Sequence, residues 1–421
     1  MTSSQILYLR VASAHADREE QFPLPPGWTA TVCPPRGRPE LTDGEVEQAF
    51  SNPLGCAPIR EAARGARSAV VLVDDFRRPT PAERLALRVM EELNCAGVPD
   101  ERISLVLGNG AHRPMTGAEA QARLGRAYRR AGKVISHDAF SADVSFFGVT
   151  SAGTPVLVNR EAARADFSVS ISTVYPHGLT SWGGGAKLVV PGISHISTIH
   201  YHHSKVAGGP WAGAPRSCAS RRDLEEAARL FGLRVAVCCV VNSRRELGGL
   251  TVGEPVKSHG RAVVLARHAG DTPVSGTDYD LVIANAYPFD ADATQLSKSY
   301  LPAQHFGCPT LIISDFADPT TYHGLYHGPL GDYRWQSQPA PVKHTPELLK
   351  RANVFMYSPQ YGKGYVPEDQ SWYCDNDWAR MTAALAGRFP RADVVVLPAA
   401  PLQIPRTVNA SPEQAGPPGT P

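Results

Sequence analysis

Four segments of the chain place basic or imidazole side chains directly after apolar, strand-like runs. The first is DDFRRPTP (74–81), where Pro79 ends a strand and Thr80 is predicted to cap the next helix. A helix N-terminus beside arginines is a ready site for an anion, and Arg78 could form a forked contact with a carboxylate or phosphate. Taken alone, the motif is equally typical of a capped turn with a structural Asp–Arg pair.

The second segment, GNGAHRPMT (108–116), holds a histidine on a loop that its glycines allow to turn sharply. His112 is therefore a candidate general base, and His177, beside Pro176, is a second loop histidine of the same kind. Taken alone, a loop histidine is more often a hydrogen-bonded surface residue than a catalytic one.

The third segment, YPHGLTSWGGGAKLVVPGISHISTIHYHHS (175–204), combines a triple glycine with a lysine and several histidines. Gly183, Gly184 and Gly185 permit close backbone approach and are expected to offer free N–H donors. Lys187 follows Ala186, so the phosphate-loop pattern is not met, but a desolvated amine there could bind phosphate or form a covalent adduct. The alternative is an exposed lysine beside a flexible loop.

Histidines 195, 200, 202 and 203 suggest a metal. On a helix, His200 and His203 share a face and His202 points away, so the four cannot bind one ion. Two histidines without a nearby carboxylate or thiolate would give zinc fewer protein ligands than its sites usually have. A simpler interpretation is that a cofactor supplies most ligands of the metal and that one imidazole completes its coordination sphere.

The fourth segment, NAYPFDADATQLSKSY (285–300), is predicted to contain a helix capped by Asp290 or Asp292. Gln295 and Lys298, three residues apart, would present an amide and an ammonium on one helix face. In isolation, this arrangement is ordinary for a solvated helix.

The elements that must position these groups alternate between apolar strands and amphipathic helices, which favours an α/β fold. We expect two domains, each with a largely parallel sheet covered by helices, and an active site in the cleft between them. Residues 1–270 would form a catalytic and cofactor-binding domain, residues 271–400 a Rossmann-like domain, and residues 401–421 a Pro-rich, disordered tail.

Composition narrows the classes of protein. The 421 residues carry a formal net charge of +2, so a broad nucleic-acid surface is not expected. No signal peptide or membrane-length apolar run is visible, which predicts a cytoplasmic protein without a membrane partner. The eight cysteines form no CxxC pair, so neither a zinc ribbon nor a disulfide scaffold is indicated.

In this order, the four segments resemble the nickel-pincer lactate racemase family, which catalyses racemisation or epimerisation of 2-hydroxy acids. DDFRRPTP is similar to the family's Asp-x-x-Arg motif, GAHRPMT to its Gly-x-His-Arg-Pro motif, and QLSK to its Gln-x-x-Lys motif. PHGLTSWGGGAK resembles the segment with a second catalytic histidine and the cofactor lysine, and PGISHISTIHYHHS the stretch that ends in the nickel ligand. The chain departs from the family at Arg77, where Thr is common, and at His202, where Asn is common.

The resemblance implies an isomerase with a nickel ion in a pyridinium-3,5-bisthiocarboxylic acid mononucleotide-type pincer cofactor, attached covalently to Lys187. Hydride would move from C2 to the cofactor and back to the other face of a 2-keto acid. The implied roles are catalytic for His112, His177, Arg78, Lys298 and Gln295, nickel-binding for His203, and nucleotide-binding for Asp75 and Gly183–Gly185. Cofactor-synthesis proteins would be required as partners, and Arg77 could enlarge or recharge the anion pocket.

Two other functions stay open at this point. One is a nickel-free α/β protein that binds a nucleotide or phosphorylated metabolite through residues 183–187 and Arg78. The other is a zinc-dependent hydrolase that uses the histidines of residues 195–203. The choice among lactate, malate, larger hydroxy acids and sugar acids is not readable from the motifs, nor is the oligomeric state.

Overall fold

The computed structural model describes residues 5–13, 16–206, 218–315, 322–327, 353–360 and 373–408. Strands and helices alternate through most of these ranges. The strands are β1 (Ile6–Ser13), β2 (Ala16–Pro23), β3 (Trp28–Val32), β4 (Ala69–Asp74), β5 (Ile103–Gly108), β6 (Lys133–Ser136), β7 (Val144–Val149), β8 (Pro155–Asn159), β9 (Phe167–Thr173), β10 (Pro176–His177), β11 (Ser181–Trp182), β12 (Val235–Val241), β13 (Leu247–Gly253), β14 (Asp271–Val274), β15 (Leu281–Asn285), β16 (Thr310–Ile313), β17 (Val354–Tyr357), β18 (Tyr373–Asp375), β19 (Ala392–Leu397) and β20 (Ile404–Thr407). The helices are α1 (Asp43–Ser51), α2 (Ile59–Ala62), α3 (Ala82–Cys95), α4 (Gly117–Leu124), α5 (Arg126–Arg130), α6 (Arg160–Ala163), α7 (Ile196–Tyr201), α8 (Ala219–Phe231), α9 (Pro255–Gly270), α10 (Leu296–Ala303), α11 (Gly324–His327) and α12 (Trp378–Arg388).

Two six-stranded sheets organise the described part of the chain. The first has the order β13-β12-β9-β4-β5-β6 and is parallel except for the β12–β13 pair. The second has the order β18-β17-β16-β15-β19-β3 and is parallel throughout. Every residue of β4, β9 and β12 is buried, as their unbroken apolar runs predict for strands covered on both faces. The predicted α/β class with largely parallel sheets is confirmed.

Helix α3 illustrates how the sheets are covered. Leu85, Val89 and Leu93, spaced at one helical turn, are fully buried in the core that α3 shares with β4. Each such leucine contributes roughly 1.5–3 kcal/mol by leaving water. The predicted Thr80 cap of this helix is wrong, because Pro81 is the capping residue and Thr80 Oγ1 donates instead to Oδ2 of Asp74, 2.6 Å away.

The N-terminal residues belong to the second sheet in space. Strand β3 pairs with β19, and Leu7 and Leu9 of β1 pack in the core beneath Leu281 of β15. The predicted domain boundary near residue 270, where α9 ends, stays a prediction. Residues 6–32 do not follow it, because they precede the boundary in sequence but pack with the second sheet.

The predicted disordered tail is wrong for its first residues. Residues 400–402 form a short 3-10 helix, and β20 pairs in parallel with β14. The reason is that Gln403 is buried and donates from Nε2 to the carbonyl of Cys33, 2.8 Å away, which anchors this segment. Residues 409–421 lie outside the described residues.

Loops that follow strands of the two sheets contact each other. Three of the four segments that carry candidate functional residues follow β4, β5 and β9, which are neighbours in the first sheet. The fourth segment follows β15 in the second sheet. Arg77 and Arg78 of the first sheet contact Asp292 and Gln295 of the second, so the strand-end loops meet at one cleft. Within the described residues, no helix is both long enough and apolar enough to cross a membrane.

Candidate active site

The loop after β5 holds His112 in a fixed position. Gly110 adopts a φ of +56°, and its N–H donates to the carbonyl of Gly192 over 2.9 Å. The Asn109 side chain donates to the carbonyl of His137 over 2.7 Å, and a capping box formed by Thr116 starts α4 just beyond the loop. Local turn chemistry and two long-range bonds therefore aim the imidazole of His112 into the cleft.

His112 is paired with a buried carboxylate. Its Nδ1 lies 2.8 Å from Oδ2 of Asp75, which is 2% exposed. Because burial alone would raise the pKa of Asp75, His112 and the neighbouring arginines must overcome it, and they hold that pKa below its usual value. Nδ1 of His112 therefore carries the proton, and Nε2 is left as the basic atom of the ring.

The pKa of His112 is lowered from its usual value. Burial is the main cause, Asp75 opposes it, and the charges of Arg77 and Arg78 add to it. A neutral imidazole with a basic Nε2 is the form that a general base requires near neutral pH.

Arg77 is enclosed between two carboxylates. Its guanidinium is fully buried, with Nη1 3.2 Å from Oδ2 of Asp75 and Nε in a close ion pair with Oδ2 of Asp292. Both acidic partners come from within the protein, and the suggestion that Arg77 enlarges or recharges an anion pocket stays a prediction. Asp75 likewise faces His112 and Arg77, a geometry that does not support its predicted nucleotide-binding role.

Arg78, Gln295 and Lys298 form a connected basic group across the cleft. Nη1 of Arg78 lies 2.8 Å from Oε1 of Gln295, which also accepts from Nζ of Lys298 over 2.6 Å. Both cations lie over the ring of Tyr175, at 5.6 and 6.0 Å from its centre. The predicted capping of α10 by Asp290 or Asp292 is wrong, because Gln295 is the N-cap residue of that helix and no side chain caps it; Asp292 instead accepts from the N–H of Thr294 over 2.8 Å in the preceding 3-10 turn.

The pKa of Lys298 is lowered to about 7, first by burial and then by repulsion from Arg78. Lys298 is 9% exposed, and its amine hydrogen-bonds the neutral amide of Gln295. Arg78 and Lys298 together suit a carboxylate ligand, which would relieve their mutual repulsion.

His177 lies on β10, in a two-residue pair with β11. The N–H of Leu179 donates to Nδ1 of His177 over 3.2 Å, so the neutral ring carries its proton on Nε2. Its pKa lies well below the usual value because the ring is buried, and repulsion from Lys187, Lys298 and Arg78 adds to the effect. The ring of Tyr175 lies 5.9 Å from that of His177 and 5.6 Å from the guanidinium of Arg78, whose charge lowers the pKa of both His112 and His177.

The three glycines pack the lysine loop against the end of β9. A Cβ at Gly183 would lie 2.4 Å from the Tyr175 ring, and one at Gly184, where φ is +78°, 2.6 Å from the carbonyl of Thr173. The expectation of free N–H donors is wrong at two positions, since Gly183 donates to Tyr175 and Gly185 to Ser172. These glycines are needed for close packing, and their predicted nucleotide contact stays untested.

Lys187 follows these glycines on a short 3-10 helix, Gly185–Leu188. Burial holds its pKa well below the usual value, and the charges of Arg221, Arg78 and Lys298 lower it further. Among the described residues, the structure shows no carboxylate paired with this amine. A lowered pKa makes the uncharged, nucleophilic form of the amine easier to reach, which fits the predicted covalent attachment of a cofactor.

Of the clustered histidines, His203 is placed to bind a metal. It lies on a π-helical turn, His202–Val206, and its Nδ1 donates to the carbonyl of Ile199 over 2.9 Å, which leaves the Nε2 lone pair as a ligand. Burial and Lys187 lower its pKa to about 3, so the ring is neutral. His202 is not equivalent, because Asp223 and Ser220 occupy its two ring nitrogens at 2.7 and 3.0 Å.

Within the described ranges, no group of three or more His, Cys, Asp or Glu side chains could hold a metal ion. His200 is exposed, and His195 caps α7. A metal bound by His203 would therefore need most of its ligands from a cofactor, as the resemblance implies.

Sequence reasoning missed two residues of this cleft. Tyr175 supports both basic side chains, and its position directly before Pro176 and His177 was its only signal. His323 lies beside His112, with 5.4 Å between the ring centres. It follows β16, so a histidine after a strand end was a signal that could have found it.

The fold and the cleft together define an α/β enzyme whose basic, half-buried site lies at the carboxyl ends of two parallel sheets. The family model of the lactate racemase N-terminal domain matches residues 15–214. The lactate racemase of Lactiplantibacillus plantarum is 25% identical over 295 residues, which cover 67% of this chain and 68% of that protein. The lactate racemase of Thermoanaerobacterium thermosaccharolyticum is 24% identical over 298 residues, covering 69% and 68%.

Two solved structures share the fold. The lactate racemase apoprotein of Thermoanaerobacterium thermosaccharolyticum superposes with a TM-score of 0.68 at 19% identity, covering 95% of this chain and all of that one. A Thermotoga maritima protein of known crystal structure gives 0.63 at 15% identity, covering 88% and 99%. These similarities in sequence and fold confirm the resemblance to lactate racemases and the prediction of an isomerase.

Proposed function

We propose that this protein inverts the C2 stereocentre of a 2-hydroxy acid, with a nickel-pincer nucleotide cofactor attached to Lys187. The observation that carries the proposal is the convergence of two neutral imidazoles, two substrate-binding cations and one desolvated amine at a single cleft. The contacts that link these groups are the hydrogen bond from Arg78 to Gln295 and the ring of Tyr175, which lies beside both Arg78 and His177.

The substrate carboxylate is assigned to Arg78 and Lys298. Lys298 donates to Gln295 in the absence of substrate, and a carboxylate is a better acceptor than this neutral amide. Binding there keeps Lys298 protonated, because the anion raises its pKa above about 7. The same cations can then stabilise charge that develops on the substrate oxygen.

The hydroxyl proton is assigned to the two imidazoles in turn. His112, held by Asp75, accepts it at Nε2 when the hydroxyl faces that side. The resulting 2-keto acid turns over, and its oxygen receives a proton from His177, which must first take one up from solvent because its ring is neutral at rest, while His112 releases the proton that it accepted to solvent. In the opposite direction, the two histidines exchange roles.

The residues present fit the cofactor. The amine of Lys187 is buried and unpaired with any acid in the described structure, and His203 offers one imidazole nitrogen. When bound, the nickel-pincer group would accept a hydride from C2 and return it. The protein supplies the attachment, the metal ligand and the exclusion of water. Separate cofactor-synthesis proteins would be required for activation, and we propose a cytoplasmic setting in keeping with that need.

The test is to incubate cofactor-loaded protein with single enantiomers of several 2-hydroxy acids and to follow the stereochemistry by chiral chromatography. We expect inversion of C2, nickel in the protein, and a mass increment on the peptide that contains Lys187. Lys187→Ala should lose the increment and the inversion, whereas Lys205→Ala, at an exposed lysine, should keep both.

His112→Ala and His177→Ala should keep nickel and the mass increment but lose inversion. Full turnover in either variant would refute the assignment of the two bases. Zinc alone would support the hydrolase, and binding of phosphorylated ligands without metal or adduct would support the binding protein.

A further inference from the structure

Helix α8 contacts the glycine-rich loop that precedes the proposed attachment lysine. Nη2 of Arg221 donates to the carbonyl of Trp182 over 2.9 Å and to that of Gly184 over 3.1 Å, and Nη1 donates to the second of these carbonyls over 3.2 Å. From helix α9, Nε2 of His259 lies 2.9 Å from the carbonyl of Gly183. Three successive carbonyls are therefore bound by side chains of two helices that follow the loop in sequence.

These contacts reach the backbone of Lys187 itself. The carbonyl of Gly184 also accepts the N–H of Lys187 over 3.4 Å, so one oxygen connects Arg221 to the lysine. Gly184 and Gly185 have φ values of +78° and +62°, and a Cβ at Gly185 would lie 3.0 Å from Cδ2 of His259. Since Arg221 is only 1% exposed, the loop is fixed from the interior of the protein.

Arg221 also brings a permanent positive charge to this place. After burial, this charge is the largest cause of the lowered pKa of Lys187. A neutral donor is sufficient to bind a carbonyl, so the hydrogen bonds alone do not require an arginine. The other charged or titratable groups that interact with the amine are Arg78, Lys298, His177 and His203.

We propose that Arg221 is a positioning residue for Lys187, which holds the loop ahead of the lysine and sets how readily its amine forms a covalent bond. Arg221 acts on the reaction only through Lys187. The inference rests on the proposed function for the group that the amine carries, but the reactivity of the amine is a property of the cofactor-free protein and can be measured there.

The test follows acetylation of Lys187 by N-hydroxysuccinimidyl acetate in cofactor-free protein at several pH values, with the modified peptide quantified by mass spectrometry. In this reaction the uncharged amine nitrogen bonds to the acetyl carbon, its proton passes to solvent, and N-hydroxysuccinimide leaves. Lys187 is half-buried, so a small reagent can reach it. In wild type, the rate should rise less steeply with pH than that of Nα-acetyl-lysinamide, an ordinary amine with a pKa of about 10.4.

Arg221→Met should lower the rate of acetylation at pH 7 roughly tenfold, the effect of removing one like charge from a buried site, and the difference should narrow at alkaline pH. Arg221→Lys keeps the charge and should keep the wild-type pH profile. Arg221→Gln keeps a donor without the charge, so its profile should follow that of Arg221→Met. Arg222→Met is the matched control and should behave as wild type, because Arg222 is the next residue of α8 and is exposed.

A purely structural role would slow acetylation equally at every pH. Such a uniform loss in Arg221→Met, a wild-type profile in both neutral variants, or an Arg221→Lys profile like that of Arg221→Met would overturn the inference. If circular dichroism shows that Arg221→Met does not fold, the comparison of Arg221→Gln with Arg221→Lys decides the outcome. If the profiles differ as expected but Lys187 carries no mass increment in protein exposed to the cofactor, the proposed function fails while the role of Arg221 stands.

Discussion

Oδ2 of Asp75 accepts a hydrogen bond from Nδ1 of His112 over 2.8 Å, and the same oxygen lies 3.2 Å from Nη1 of Arg77. This carboxylate therefore sets the tautomer of the imidazole and is itself held in place by a buried cation. Asp75 acts as a positioning residue, since its contacts are with His112 and not with the centre of the cleft.

Asp75→Asn should lower kcat by about a hundredfold to ten-thousandfold, the usual contribution of a general base, because His112 would lose that role. The amide can donate to Nδ1, which favours the tautomer with its proton on Nε2 and removes the base. The pKa of His112 should also fall, because Asp75 raises it. Steady-state kinetics and NMR titration of the histidine measure both effects.

Asp143→Asn is the control, since its side chain is 69% exposed and pairs only with Arg160 at the surface. Unchanged turnover and an unchanged His112 titration in Asp75→Asn would contradict the positioning role.

Lys298 predicts a dependence of substrate binding on pH. With a pKa of about 7 in the folded protein, it is charged below that pH and loses its charge above it. KM for a hydroxy acid should therefore increase as the pH rises through 7 to 9, and Lys298→Arg should flatten this profile. A wild-type KM that is constant over that range would argue against Lys298 as a carboxylate ligand.

The same residue predicts an effect on stability. The pKa of Lys298 is about 7 in the folded protein and 10.5 for a free lysine, so the unfolded chain binds the additional proton between these values. The folded state consequently loses stability as the pH falls from 10.5 to 7. Lys298→Met should raise the melting temperature at pH 7 and below, whereas Lys205→Met, at the surface, should leave it unchanged.

Substitutions of the neighbouring residues His202 and His203 should have different effects, the first on stability and the second on metal binding. His203→Ala is expected to abolish nickel binding with little loss of stability. His202→Ala should keep nickel but lower the free energy of unfolding by about 1–3 kcal/mol, because buried Asp223 and Ser220 lose their partner. Metal analysis and chemical denaturation measure the two outcomes, and the reverse pattern would identify His202 as the ligand.

Arg77 should contribute strongly to stability. Arg77→Met leaves Asp75 and Asp292 buried without their shared cation, and we expect a loss of about 3–5 kcal/mol. Adding Asp292→Asn should recover part of it. Arg84→Met breaks a surface pair with Asp43, whose side chain is 99% exposed, and should cost less than about 1 kcal/mol. Equal losses in the two single variants, measured by denaturant unfolding, would contradict this account.

Sequence alone determined the features that depend on local order. Apolar runs that alternate with helix-like stretches predicted parallel strands with polar and basic clusters after their carboxyl ends, and β4, β5, β9 and β15 confirm those strands. Parallel pairing then brings strand ends to one edge, so His112, His177 and Lys187 could be expected at a shared cleft before any contact was known.

Tertiary structure alone decided which partners each side chain has. Arg77 and Asp292 are 215 residues apart, and His202 and Asp223 are 21 apart, so no local pattern signals either pair. The same holds for β3, which joins the second sheet beside β19, and for His323 beside His112. Burial decides these pairings, because a charged or polar group removed from water must find a partner wherever the fold brings one.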